Sequence, residues 1–334
     1  MSRAVVVVMF VFVMSACFLG APEPSQAQSD PCNSGQQFCP LCGDKGIGFF
    51  NCVLEITILD ICEVRNTNCS PPPEDHNKCS VGGQPICLTD GNTYIEESDI
   101  RLPGLSNGLS VVRTWNSTWP TIESAYQIGI FGPNWRSNYE ERVFVGSDYY
   151  VKYSRGDGSF WSFGSNGSLW ISVAPANADA TLAPGATYWT LTLRNGEQRL
   201  FDNTSGRLTA IIDRNGNTTT LSYDSLGRLV TVTDPASRHL YFNYGSGTYL
   251  VASVTSDFGE SVSYNYDSQG RLTGVTEPDQ STLSFQFDSN SLISAVLDSQ
   301  GKILESHSYD SNGRGLTSSR ANGVEAITLS YGNP

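Results

Sequence analysis

Polar and apolar residues alternate strictly over several short runs of the chain. Thr218–Tyr223, Ser261–Tyr266 and Thr282–Phe287 each place apolar or aromatic side chains on one face with period two. That period is the signature of a β-strand with one face covered. Each run ends on an aromatic residue. The aromatics recur at Phe201, Tyr223, Tyr244, Tyr266, Phe287, Tyr309 and Tyr331, at gaps of 22, 21, 22, 21, 22 and 22 residues. A register kept over six intervals marks an internal repeat.

The residues after each aromatic predict a turn. Tyr223-Asp224-Ser225-Leu226-Gly227-Arg228-Leu229, Tyr266-Asp267-Ser268-Gln269-Gly270-Arg271-Leu272 and Tyr309-Asp310-Ser311-Asn312-Gly313-Arg314 share one phrase. Phe201-Asp202 reaches Gly206-Arg207-Leu208 with one extra residue; Phe287-Asp288-Ser289-Asn290 loses the Gly-Arg; Tyr244 keeps only the aromatic. An Asp carboxylate accepts backbone N–H groups two to four residues on, and Gly accepts positive φ, so Asp-x-x-Gly reads as a turn. A second strand follows, as in Leu229-Val230-Thr231-Val232. A second turn comes at Asp213-Arg214-Asn215-Gly216, Asp257-Phe258-Gly259 or Asp298-Ser299-Gln300-Gly301. Each unit of about 22 residues is therefore a strand–turn–strand–turn. A lone hairpin is marginal in water, and edge-to-edge stacking buries the aromatic rows and pairs the open edges.

The iterated Tyr-Asp-x-x-Gly-Arg-Leu phrase resembles the Rhs/YD repeats of bacterial Rhs proteins, insecticidal toxin-complex subunits and animal teneurins. The resemblance covers roughly 200–334. It implies a β-ribbon wound into a shell, some of which enclose a C-terminal toxin. Upstream, Gly91–Gly104, Val111–Ser117 and Phe131–Glu140 resemble the β-rich domain of unknown function that often precedes Rhs repeats. The expected fold is all-β: antiparallel hairpin repeats in a curved open sheet or partial shell, after a β-rich domain and a small disulfide-rich segment. The expected boundaries are 1–27, 28–88, 89–199 and 200–334. Six repeats and an unfinished seventh are few for a closed shell. Asp234-Pro235 reads as a turn rather than an autocleavage site.

The N-terminus changes the picture of where the chain works. Arg3 precedes an apolar run from Ala4 to Met14, too short to span a bilayer and suited to a signal-peptide core. Ser25 and Ala27 suit cleavage before Gln28; lipidation at Cys17 is the competing reading. The remaining cysteines are Cys32, Cys39, Cys42, Cys52, Cys62, Cys69, Cys79 and Cys87. Eight in so short a secreted stretch read as disulfides of undetermined pairing. Cys39 and Cys42 have the spacing of a zinc pair or redox motif, without a second pair or a thioredoxin-like surround.

Charge and candidate chemistry narrow the function. Charged residues make up 16% of the chain and the net charge is −13, which disfavours nucleic acid as a partner. No cofactor is expected. The histidines are His76, His239 and His307, with no Gly-x-Ser-x-Gly elbow, so no enzyme is expected. Asp257 and Glu260 read as solvated turn residues rather than an acid–base pair. Asp213–Asn217 and Asp310–Gly313 carry oxygen ligands but no distal Glu, so turns explain them better than calcium. Trp115, Trp119, Trp135, Trp161, Trp170 and Trp189 cluster in the middle region, where Trp161 and Trp170 are candidate glycan contacts against a core-packing alternative. Asn116, Asn166, Asn203 and Asn217 head glycosylation sequons.

The function expected is a secreted or cell-surface scaffold for contact, adhesion or assembly. A carbohydrate-binding module and a remnant of a toxin-delivery shell are the alternatives. The expected partner is a protein or glycan at a cell surface, with the C-terminal sheet edge available for pairing.

Overall fold

The computed structural model describes residues 79–83, 85–118, 128–146, 148–167 and 169–332. The expected signal peptide, Cys17, Cys32 to Cys69, His76 and Trp119 lie outside these residues. Within them every element is a β-strand or a single turn of 3-10 helix. None is a helix long and apolar enough to cross a membrane.

One antiparallel sheet of 19 strands runs from Arg142–Val145 to Ile327–Thr328. Each strand pairs with its neighbours in sequence, so the chain zigzags through hairpins without a crossover. The predicted runs are strands at the predicted bounds, Thr218–Tyr223, Ser261–Tyr266 and Thr282–Phe287. The sheet curls until it meets itself. Arg142 bridges Arg207; the Val143 N–H donates to the Gly206 carbonyl (2.9 Å) and the Leu208 N–H to the Glu141 carbonyl (3.3 Å). Among the described residues no ladder joins the last strand to the first, so the ribbon is a coil that touches itself early and then runs on.

A separate three-stranded sheet is made by Tyr94–Leu102, Leu109–Asn116 and Trp135–Ser137. It packs inside the curve of the repeats. Tyr139 meets Phe242, Phe131 meets Tyr264, and Trp135 meets Phe285, with ring centres 4.7–6.2 Å apart. Phe242, Tyr264 and Phe285 each stand two residues before a repeat aromatic, on the covered face of their strands. Leu221 and His307 hold the same place in their repeats and are also buried. Hydrophobic burial of this shared face holds the two sheets together.

One expectation shifts here. The repeat aromatics do not form the deep row. Phe201 is fully buried, but Tyr223, Tyr244, Tyr266, Phe287 and Tyr309 are half-buried at the hairpin end and pack on the core's rim. A strand's last residue lies where the sheet meets solvent, so the row two residues earlier takes the interior. The strands of the large sheet are continuous from Arg142 onward, across residue 199. At the other boundary, Cys79 and Cys87 form a disulfide across a two-stranded hairpin (Cα–Cα 5.6 Å). Ile86 beside it is fully buried, and the Gly315 N–H donates to the Gly91 carbonyl. The segment from Cys79 is thus docked on the late repeats.

Candidate functional site

The motif residues gather along one rim of the large sheet, and each group has a defined partner. In the turn after Tyr223, one Asp224 carboxylate oxygen accepts the Leu226 and Arg228 N–H groups (3.0 and 2.9 Å), and the other takes the Arg228 guanidinium in a fork (2.8 and 2.7 Å). Asp267 with Arg271 and Asp310 with Arg314 repeat this geometry. Gly227, Gly270 and Gly313 have φ of +74° to +78°, the left-handed region in which a Cβ is penalised. Hydrogen bonds from the backbone hold the Asp224 carboxyl below its ordinary range, as forked charge-assisted pairing also does.

The Arg of one unit then covers the aromatic of the next. The Arg228 guanidinium lies 4.6 Å from the Tyr244 ring centre, Arg271 4.6 Å from Phe287 and Arg314 4.2 Å from Tyr331. The tyrosine hydroxyls reach back in the same direction. Tyr223 donates to the Leu208 carbonyl, Tyr244 to Leu229, Tyr266 to Val251, Tyr309 to Ile293 and Tyr331 to Gly315, at 2.6–2.8 Å. Phe287 has no hydroxyl and keeps only the stack. In these units the Asp carboxylate closes its own turn, while the Arg face and the Tyr hydroxyl join one hairpin to the next.

A second cluster was not legible as a site. Asp99 and Arg113 pair in a fork (2.6 and 2.7 Å) with both side chains fully buried. The Tyr264 hydroxyl donates to Asp99 (2.6 Å), and Trp135 lies 4.8 Å under the guanidinium. This ties the inner sheet to the repeats. A register shift between Ser98 and Ile100 turns both Asp99 and Ile100 inward, as a β-bulge does. The one available sequence signal was Arg113, which falls in phase with buried Val111 and Trp115. Desolvation, helped by Asp99 and opposed by Arg113, pushes the Glu97 carboxyl up to about 7; desolvation and Asp99 push Glu277 to about 7 as well.

The other candidates fall as follows. Trp161 is buried with the Arg155 guanidinium 4.8 Å over its ring, so it is a core side chain and offers no face to a sugar. Trp170 is half-buried, edge-on to Trp189. Asn116 is buried and bonded to Asn92 and Asp157, which excludes its sequon in the folded chain. Asp213 and Asp310 spend their oxygens on their own turns. Among the described residues no group of three or more His, Cys, Asp or Glu is arranged to hold a metal ion. His239 and Asp257 come together across adjacent strands (2.7 Å), and Tyr241 donates to the same carboxylate (3.0 Å). The other ring nitrogen of His239 meets no hydrogen-bond partner among the described residues. His307 is buried 3.5 Å from Glu305.

Comparison with known proteins agrees with this architecture. A family model described as a domain of unknown function, DUF6531, matches residues 83–163. The RHS repeat model matches 203–239, 250–282 and 266–303. No curated protein sequence matches the chain. Among solved structures, the Photorhabdus luminescens Tc holotoxin pore is similar at 11% identity over 69% of this chain and 14% of that chain, with a TM-score of 0.28. A TcdB2–TccC3 crystal structure lacking its hypervariable C-terminal region is similar at 13% identity over 72% and 16%, with a TM-score of 0.29. The chain spans about one seventh of the length of these structures.

Proposed function

We propose that this chain, an Rhs/YD-repeat protein with a DUF6531 domain ahead of its repeats, is a non-enzymatic scaffold that works outside the cell in contact, adhesion or assembly. The observation that carries this reading is how the motif spends its groups. In the complete units the Asp and Gly close the turn, and the Arg and Tyr hydroxyl carry the joint to the neighbouring hairpin. What remains for partners is the outer face, rich in Ser, Thr, Asn and Gln, and the side of the Ile327–Thr328 strand away from Gly315–Arg320, along which no ladder runs among the described residues. A free strand edge is a template for another chain. The apolar run and Ser25–Ala27 support export, and the Cys79–Cys87 disulfide suits an oxidising compartment.

The test is fractionation of producing cells with an antibody to the chain, followed by binding of the purified full chain to cells and envelope extracts. The scaffold reading expects the chain outside the cytoplasm, with self-association or binding to the envelope. A cytoplasmic chain that neither self-associates nor binds would overturn it. A toxin-delivery shell is the second reading, supported by the sheet's coil onto Arg142. It expects a co-purifying protein that the curled sheet shields from protease.

A further inference from the structure

The first repeat breaks the clamp. One residue more separates Asp202 from Arg207 than separates Asp224 from Arg228. Ser205 takes the Asp202 carboxylate in place of the arginine, through its N–H (2.7 Å) and its hydroxyl (2.8 Å). The Arg207 guanidinium is left without a hydrogen bond or ion pair among the described residues. It swings off its own turn and lies across the next one, where a Cβ on Gly227 would stand within 2.7 Å of three guanidinium atoms. Its distance to the Tyr223 ring centre is 5.8 Å, longer than the 4.2–4.6 Å of the clamped arginines.

The displaced guanidinium borders an open cleft of about 480 Å³ between the two turns. That is within the usual range of small-molecule pockets, about 300–1,000 Å³. Tyr188 lines it with a ring 41% exposed, together with Asp202, Asp224, Ser205 and Ser225. The second oxygen of Asp202 and the Ser225 hydroxyl have no partner among the described residues and are open to a ligand. The cleft therefore offers one forked cation, one carboxylate acceptor, a hydroxyl and an aromatic face.

We infer that this cleft binds a saccharide carrying a single carboxylate, a uronate-type sugar, with its carboxylate on Arg207, a ring hydroxyl on Asp202 and its apolar face on Tyr188. A guanidinium fork matches a planar carboxylate in two parallel bonds. A phosphate dianion fits worse. Asp202 and Asp224 are both held below the ordinary carboxylate range, by backbone hydrogen bonds from Ser205 and Arg228, and both would repel a second negative charge. The chain's net charge of −13 likewise selects one acidic residue on a neutral glycan over a polyanion. A pyranose ring alternates an apolar face with hydroxyl edges, which suits Tyr188 beside Asp202 and Ser225. The inference is independent of whether the chain acts as a scaffold.

The experiment is calorimetric or ligand-observed magnetic-resonance titration of the full chain with methyl glucuronide. Parallel arms use methyl glucoside, acetate, inorganic phosphate and glycylglycine. The expected result is saturable binding of the glucuronide, at least about tenfold tighter than any other arm, the effect of losing one charged hydrogen-bonding partner. Arg207→Met keeps an unbranched aliphatic stem and removes the guanidinium that lies over Gly227, and with it the fork; it is expected to weaken binding at least about tenfold. Tyr188→Ala, at an exposed ring, is expected to weaken it several-fold and serves as the second variant if Arg207→Met does not fold. Equal binding of glucoside and glucuronide would overturn the inference, as would phosphate or glycylglycine binding as tightly. Absence of glucuronide binding, or binding unchanged in a folded Arg207→Met or in Tyr188→Ala, would overturn it too.

Discussion

The rim of the repeat sheet and the interface beneath it use the same chemistry in opposite settings. At the rim, Asp224 and Arg228 pair over a four-residue interval with side chains 21–23% exposed. Beneath, Asp99 and Arg113 pair from two different strands with no exposure at all. The rim pair is local, repeated and screened by water, so each copy contributes little and the loss of one is tolerated. The buried pair is unique, and removal of one partner strands a charge in an apolar surround. The difference teaches that repetition marks the many weak joints, while this costly joint carries no repeat signature.

The largest effect that would sharpen this contrast is expected from Arg113→Met. It leaves Asp99 buried without its cation and should cost about 3–5 kcal/mol in denaturant unfolding. A loss below about 1 kcal/mol would break the contrast, because the buried pair would then behave like the rim. Next comes pH. Desolvation raises the Glu97 and Glu277 carboxyls from the ordinary glutamate range to about 7. A carboxyl raised on folding adds stability that is complete below the unfolded pKa and is lost as pH rises through the folded one. Stability should therefore fall between about pH 5 and 8, by up to about 3 kcal/mol for Glu97 and by less for half-exposed Glu277. Glu97→Gln should flatten that slope in unfolding measured across the range.

At the rim the expected losses are smaller. Gly270→Ala forces a Cβ onto φ +75°, with room for it in ordinary contact with Leu250, and the backbone strain should cost about 1–2 kcal/mol. Smallest is Tyr244→Phe, which removes one donor to the Leu229 carbonyl and should cost about 1 kcal/mol. Phe287→Tyr is its mirror, placing a hydroxyl where the tyrosine repeats have one, and should recover a similar amount. If both changes are silent in thermal unfolding, the reach-back hydroxyl plays no part in joining hairpins.

Much of the large sheet was legible because its determinants are close in sequence. The alternation from Ser261 to Tyr266, the Asp267 turn and Gly270 all act within a few residues, and the strand and its hairpin follow from them. The rim clamp was only half legible. The Asp–Gly turn could be read, but Arg271 covering Phe287 depends on how one hairpin seats against the next. The choice between a glycan contact and core packing at Trp161 could not be made from single-residue chemistry, because an aromatic's exposure is a property of the packed core, where Trp161 is buried.

The amino-acid sequence by itself determined an all-β chain, the 21–22-residue unit, its turns and the family it resembles. Those depend on period-two burial and on turn conformations set within single units. The tertiary structure alone decided that the sheet coils onto Arg142, that a second sheet fills its curve, and that Asp99, Arg113 and Tyr264 meet. It also decided that one inserted residue frees Arg207 beside Tyr188. Asp99 and Tyr264 are 165 positions apart. Nothing local couples such residues, and only the accumulated twist and curvature of the stacked hairpins brings them within bonding distance.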